Sequence, residues 1–197
     1  MKGTRNLTLL VIGGIILILF AWGCSGYNGL VKKDENVKNA WNNVNAEYQK
    51  RGDLVDNLVN TVKGAANFEK TTLTEVVNAR AKATSVNVTA DQLTPENMQK
   101  FQQAQSQLSG SLSRLLVVAE QYPDLKATAN FTQLQTQLES IENEIRNSRK
   151  TFNDRVNEYN TSRRAFPINM FSGMFGFGPR EGFKADEGAE KAPKVQF

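Results

Sequence analysis

Apolar positions along this chain fall into one unbroken run and four periodic stretches. The run is Leu7 to Cys24, LTLLVIGGIILILFAWGC, and contains no charged residue. Beyond it, Val37, Trp41, Val44, Tyr48, Arg51, Val55, Leu58, Val62 and Ala65 recur at alternating spacings of four and three. That alternation places them on one stripe of an α-helix, which Leu54 widens. It predicts a first helix over roughly 30–67, loosened near Gly64. One charged residue, Arg51, stands in the middle of the stripe.

A second, shorter stretch over 69–85 carries Leu73, Val76, Val77 and Ala81. The sequence VNVTADQLTPEN follows, and its β-branched and turn-forming residues break a helix. Thr94-Pro95 predicts a fresh start: a hydroxyl at the N-cap, then proline in the first turn, where its missing N–H costs nothing. The third stripe is Met98, Phe101, Gln105, Leu108, Leu112, Leu115, Ala119 and Tyr122, stopped by Pro123. Asn130 with Gln133 reads as a capping pair for a fourth helix. Its stripe is Phe131, Leu134, Leu138, Ile141, Ile145, Ser148, Phe152, Arg155 and Tyr159, ending near Arg164 before Pro167.

Each helix alone would leave large apolar groups in water, and short connections make successive helices antiparallel neighbours. The predicted fold is all-α: an N-terminal transmembrane helix followed by an up-and-down antiparallel four-helix bundle of long helices. The chain divides into a short basic start (1–6), a transmembrane or signal-anchor segment (7–26), the bundle domain (27–165), an apolar Phe/Met/Gly-rich segment (166–183) and a charged tail (184–197) that reads as disordered. At 1.5 Å per residue, the two ascending and two descending helices nearly cancel, to within ~16 Å. Segment 166–183 should therefore return to the level at which the bundle began. It is too short to span a bilayer. It either packs beneath the bundle or forms a hydrophobic foot, with Phe171, Phe175 and Phe177 at a membrane interface or against a partner subunit.

Charge and cysteine content refine the N-terminal reading. Lys2 and Arg5 precede the apolar run, the layout of a secretory signal or signal-anchor. The run falls at the lower edge of the about 17–25 residues that span a bilayer. Trp22 and Tyr27 follow it as interface anchors. These features predict a retained single span, with the bundle on the extracytoplasmic side. The chain has one cysteine, Cys24, so internal disulfides are excluded. Ala21-Trp22-Gly23-Cys24 partly matches the small-residue box of bacterial lipoproteins, which leaves cleavage and lipidation at Cys24 as the alternative. The net charge of +4 is scattered with acids interspersed, unlike the concentrated basic face of a nucleic-acid binder.

The chain contains no histidine. The commonest general base, the commonest zinc ligand and every Ser-His or Cys-His arrangement are thereby removed. No catalytic, cofactor or metal residues are assigned, and a non-enzymatic role is expected. The acidic pairs Glu142/Glu144 and Asp53/Asp56 read as solvated faces that at most pair with Arg or Lys. For Arg51 two readings stand: its stem lies along the core edge with the head in water, or it forms a buried pair with an acid of the fourth helix between Glu142 and Glu158. Trp41, Tyr48, Phe152 and Tyr159 are expected at the bundle seam.

The residues AWNNVNAEYQKRGDLVDNLVNTVKG from Ala40, NARAKA from Asn78, YPDLKA from Tyr122 and QLESIENEIRNSRKTFNDRVNEYN from Gln137 resemble the LemA family, as does GYNGLV from Gly26. The resemblance implies a bacterial membrane protein with one N-terminal span and an all-helical bundle. It supplies no catalytic residues. The function expected is a membrane-anchored envelope scaffold or assembly protein, partnered by the membrane, by further copies of itself as a homo-oligomer and by other envelope membrane proteins, with no nucleic acid. A ligand- or metal-binding bundle and an envelope sensor are the alternatives.

Overall fold

The structure, a computed structural model, describes residues 2–64 and 68–184; most side chains before Gly23 fall outside that description. Five helices follow in order: α1 (Lys2–Lys63), α2 (Lys70–Ser85), α3 (Pro95–Ala119), α4 (Pro123–Lys126) and α5 (Ala129–Arg164). Short 3-10 turns occupy Ala90–Gln92 and Ile168–Met170. No strand occurs among the described residues. Four long helices run up, down, up and down, as the stripes predict, and α4 is a single turn bridging α3 and α5.

The first helix is longer than its stripe. With no proline before Pro95, nothing interrupts the backbone ladder, and α1 continues unbroken from the apolar run into the bundle. Its 62 residues span ~93 Å. Among the described residues, no helix is long and apolar enough to cross a membrane. The transmembrane assignment for 7–26 falls mostly on residues whose side chains lie outside the description, as do the expected end of the first helix at 65–67 and the tail beyond Lys184.

Local chemistry sets the other ends. Thr94 Oγ1 accepts a hydrogen bond from the Asn97 N–H at 3.3 Å, with Pro95 in the first turn. At α5 the cap is Thr128, whose Oγ1 accepts from the Phe131 N–H at 3.3 Å, rather than the expected Asn130–Gln133 pair. Thr128 is preferred because the helix begins two residues earlier, directly after the α4 turn that Pro123 opens. The α2 stripe also differs from expectation. Thr72, Val76 and Ala83 are buried, whereas Val77 and Ala81 are exposed. In so short and weakly apolar a helix, contact with α3 selects the face.

The core divides into two clusters along the bundle. The distal one joins Leu54, Val55, Leu58 and Val62 of α1 to Leu108, Leu112 and Leu115 of α3 and to Phe131 and Leu138 of α5. The proximal one, nearer the apolar run, is aromatic: Trp41, Phe101, Phe152, Tyr159 and Phe183, with Val37, Val44, Met98 and Val156. On α5 the proximal stripe uses Val156 instead of Arg155, which turns outward to Glu158 at 3.0 Å. A straight helix drifts from a 3.5-residue repeat, so the later position comes to face the core.

Candidate functional site

Arg51 sits where the two clusters meet, and it is 1% exposed. Its guanidinium reaches across the bundle. Nη1 donates to Ser109 Oγ at 2.8 Å and to Glu142 Oε1 at 2.9 Å, and Nη2 donates to Gln105 Oε1 at 2.5 Å. The Gln105 amide in turn donates to the Ala83 carbonyl at 3.5 Å. One polar network thus touches α1, α2, α3 and α5. Glu142 is the acid of the paired reading, and its side chain is 35% exposed. The ion pair is therefore buried at the arginine end and wet at the carboxylate end. A guanidinium in an apolar core is accommodated where acceptors meet it; three side chains meet Nη1 and Nη2 here, while Nε has no hydrogen-bond partner among the described residues. Tyr48 lies alongside, its ring 5.0 Å from the Arg51 guanidinium carbon and 5.1 Å from the Phe101 ring. Asp56, from the second acidic pair, meets Arg80 of α2.

The proximal end is built around Trp41. Its indole N–H donates to the Val88 carbonyl at 2.7 Å, anchoring the α2–α3 connection. Its ring lies 5.2 Å from Phe101, 5.2 Å from Phe152 and 5.9 Å from Phe183. Phe183 comes from the segment after α5, which turns back and lies as a strap along the bundle. Tyr159 holds the strap's start, its hydroxyl donating to the Gly178 carbonyl at 2.8 Å. Burial, then the charge of Asp34, pushes the Tyr159 phenol above its ordinary value. Asp34 is itself buried and takes the Arg180 guanidinium in a two-pronged pair at 3.0 and 3.2 Å.

Below the strap, segment 166–177 packs beside residues 23–30 of α1. Gly26 makes room there: a Cβ at that position would approach Ile168 to 3.1 Å. Tyr27 meets the Phe175 and Phe177 rings edge-on at 5.3 and 5.5 Å. Together they border a groove of about 530 Å³, lined also by Cys24, Leu30, Ile168 and Phe171. Phe177 is half-buried against the core, whereas Phe166, Met170, Phe171, Met174 and Phe175 stand exposed, Met174 at 81%. Cys24 is exposed at the groove. Trp22 falls among the residues whose side chains are not described. Among the described residues, no three His, Cys, Asp or Glu side chains converge as a metal site.

A LemA family model matches residues 40–197, from just before Trp41 through the bundle, the strap and the tail. The chain belongs to the LemA family. It is also 26% identical over 142 residues to Protein LemA of Metamycoplasma hominis, which covers 72% of this chain and 61% of that relative. The LemA-family match thus takes in both the Arg51 network and the strap. Sequence reasoning located Arg51, Trp41, Tyr48, Phe152 and Tyr159 by their stripe. It missed Asp34, Asn153, Asn160 and Arg180 of this LemA-family chain. One signal was available: Asn153 and Asn160 lie a heptad apart, each immediately after a buried aromatic, on the flank where the strap binds.

Proposed function

We propose that this LemA-family chain is a membrane-anchored, non-enzymatic scaffold or assembly protein of the bacterial envelope. It acts by self-association and by binding membrane partners, with its bundle on the extracytoplasmic side. The observation that carries this reading is the join at the base. Helix α1 is continuous from the apolar run into the bundle. The exposed Phe and Met side chains of 166–175 lie beside residues 23–30, directly after that run. Any bilayer holding the run brings the foot to headgroup depth, where exposed rings and thioethers gain by leaving water. Arg163 and Arg164 precede the foot and Lys32 and Lys33 lie on α1 nearby, suited to an anionic surface. Away from the membrane, the same apolar face is a surface for lateral contact.

The test uses the full-length protein in vesicles containing phosphatidylglycerol. The expected protein floats with the vesicles, resists extraction by high salt, and crosslinks to itself or to membrane proteins in cells. Release by high salt together with a monomer that captures nothing would overturn the proposal. Intact mass of the membrane-extracted chain separates a retained anchor from cleavage and lipidation at Cys24.

A further inference from the structure

The strap is held as a peptide ligand is held. Two asparagine amides of α5 each read both backbone groups of one strap residue. Asn160 donates to the Arg180 carbonyl at 2.8 Å and accepts from the Arg180 N–H at 3.1 Å. Asn153 donates to the Phe183 carbonyl at 3.1 Å and accepts from the Phe183 N–H at 2.8 Å. Arg163 and Gln102 donate to the flanking Phe177 and Lys184 carbonyls at 2.8 and 3.3 Å. These bonds ignore side-chain identity, the logic of peptide recognition by main-chain hydrogen bonds. Specificity comes from two pockets. Asp34 takes Arg180, whose guanidinium also donates to the Ala90 carbonyl at 3.4 Å. Trp41, Phe101 and Phe152 take Phe183, with the Arg149 guanidinium carbon 4.6 Å from its ring. Between them, Gly182 has no room for a side chain, since a Cβ would lie 2.8 Å from Asn153 Oδ1. The groove therefore recognises Arg-x-Gly-Phe.

An empty groove is costly: it would leave the Asp34 carboxylate short of its main cation and open an aromatic cavity. The connection feeding it is a series of turns closed by local bonds, such as the Ser172 N–H to the Ile168 carbonyl at 2.9 Å, and it rests on α1 through Ile168 and Phe175; exchange requires these turns to open. Residues 165–176 are mostly exposed, and Gly173 and Gly176 have open space around them. Twelve extended residues reach ~40 Å, several times the about 8–10 Å between packed helix axes. Two bundles held side by side on one membrane lie within that reach. We propose that the groove formed by α1, α3 and α5 is an exchangeable docking site, and that in assemblies its occupant is the Arg180–Phe183 segment of a second copy of this chain. Strap exchange keeps the groove contacts of residues 177–184 and adds a link between copies, a low-cost route to oligomers, while giving up the turns of 165–176 and their packing on α1. This rests on the self-association proposed above and supplies its contact.

Charge reversal tests it. Full-length Asp34→Arg and Arg180→Asp chains, differently tagged, are co-expressed and extracted in mild detergent. Each variant alone opposes like charges in every pairing, which costs well over about tenfold in binding. Only a mixed pair with exchanged straps restores both ion pairs. The expected result is mixed pairs recovered at least about tenfold above either variant with itself, lost again when both chains also carry Phe183→Ala. The double variant Asp34→Arg/Arg180→Asp should regain wild-type thermal stability in its own chain, which shows that the reversed pair folds. A mixed pair no more abundant than the single variants, with the double variant recovered, would show that the strap stays in its own groove and overturns exchange. Lys38, 3.6 Å from Asp34, is replaced by Gln in every chain so that Asp34→Arg meets no second cation, and failure of the double variant to recover would then overturn the anchor itself. Wild-type crosslinking, run in parallel, separates the outcomes: oligomers without exchange leave self-association standing on another surface.

Discussion

Arg51 and Glu142 form one ion pair, yet removing its two members should have unequal consequences. Replacing Glu142 by Ala leaves a guanidinium that is 1% exposed, still bonded to Gln105 and Ser109 but without its counter-charge. Loss of one partner from a fully buried pair costs about 3–5 kcal/mol. Here the carboxylate is 35% exposed, so water already screens the pair and about 1–2 kcal/mol is the better expectation. Replacing Arg51 by Leu removes the buried charge altogether. Glu142 turns to solvent, leucine adds apolar contact between the two core clusters, and the residual cost is the Gln105 carbonyl oxygen losing its donor, about 1 kcal/mol. The leucine gain offsets much of that, so Arg51→Leu should lie within about 1 kcal/mol of wild type. Arg51→Ala adds a cavity and should cost about 2–4 kcal/mol. The assay is urea unfolding of the detergent-solubilised protein followed by far-ultraviolet circular dichroism. The reasoning is refuted if Arg51→Leu proves more destabilising than Glu142→Ala. Register is a separate readout. If the network specifies helix alignment, Arg51→Leu should stay helical yet assemble incorrectly by native mass spectrometry, and unchanged assembly would remove that role.

Other expectations concern the proximal end. Trp41→Ala deletes a ring in contact with three others and the donor to Val88, and should cost about 3–5 kcal/mol in the same unfolding assay. Gly182→Ala forces the Asn153 amide aside and breaks both of its bonds to Phe183; a loss of about 1–2 kcal/mol should appear as faster proteolysis at Gly178–Lys184. Tyr159 gives a pH dependence. Its folded value is raised above the unfolded one of about 10, so its contribution is complete below that pH and is lost as pH rises through the folded value. Alkaline titration should therefore destabilise wild type more than Tyr159→Phe, and parallel curves would show that the phenol is not responsible.

The sequence by itself determined the helices, their order and most of the core. Stripes of Val, Leu and aromatics at three-four spacing can be buried only by packing helix on helix, so the up-and-down bundle was legible before any contact was known. The caps were half legible: Thr94-Pro95 worked as read, whereas the α4 turn displaced the α5 cap to Thr128. Arg51 was conspicuous because charge on an apolar stripe has to be answered, but its partner was narrowed only to an acid of the fourth helix between Glu142 and Glu158, and the structure supplies Glu142. What the stripe could not carry was anything held by side-chain-to-backbone bonds. Segment 166–183 read as uniformly apolar, but folding split it into an exposed foot and a strap whose Phe183 completes the aromatic core. That division depends on Asp34, Asn153 and Asn160, ordinary polar residues on helix flanks. They gain meaning only when α1 and α5 lie side by side and a distant stretch of chain is laid across them. Periodicity is a property of neighbours along one helix. A groove is a property of surfaces from several, and only the tertiary structure brings those together.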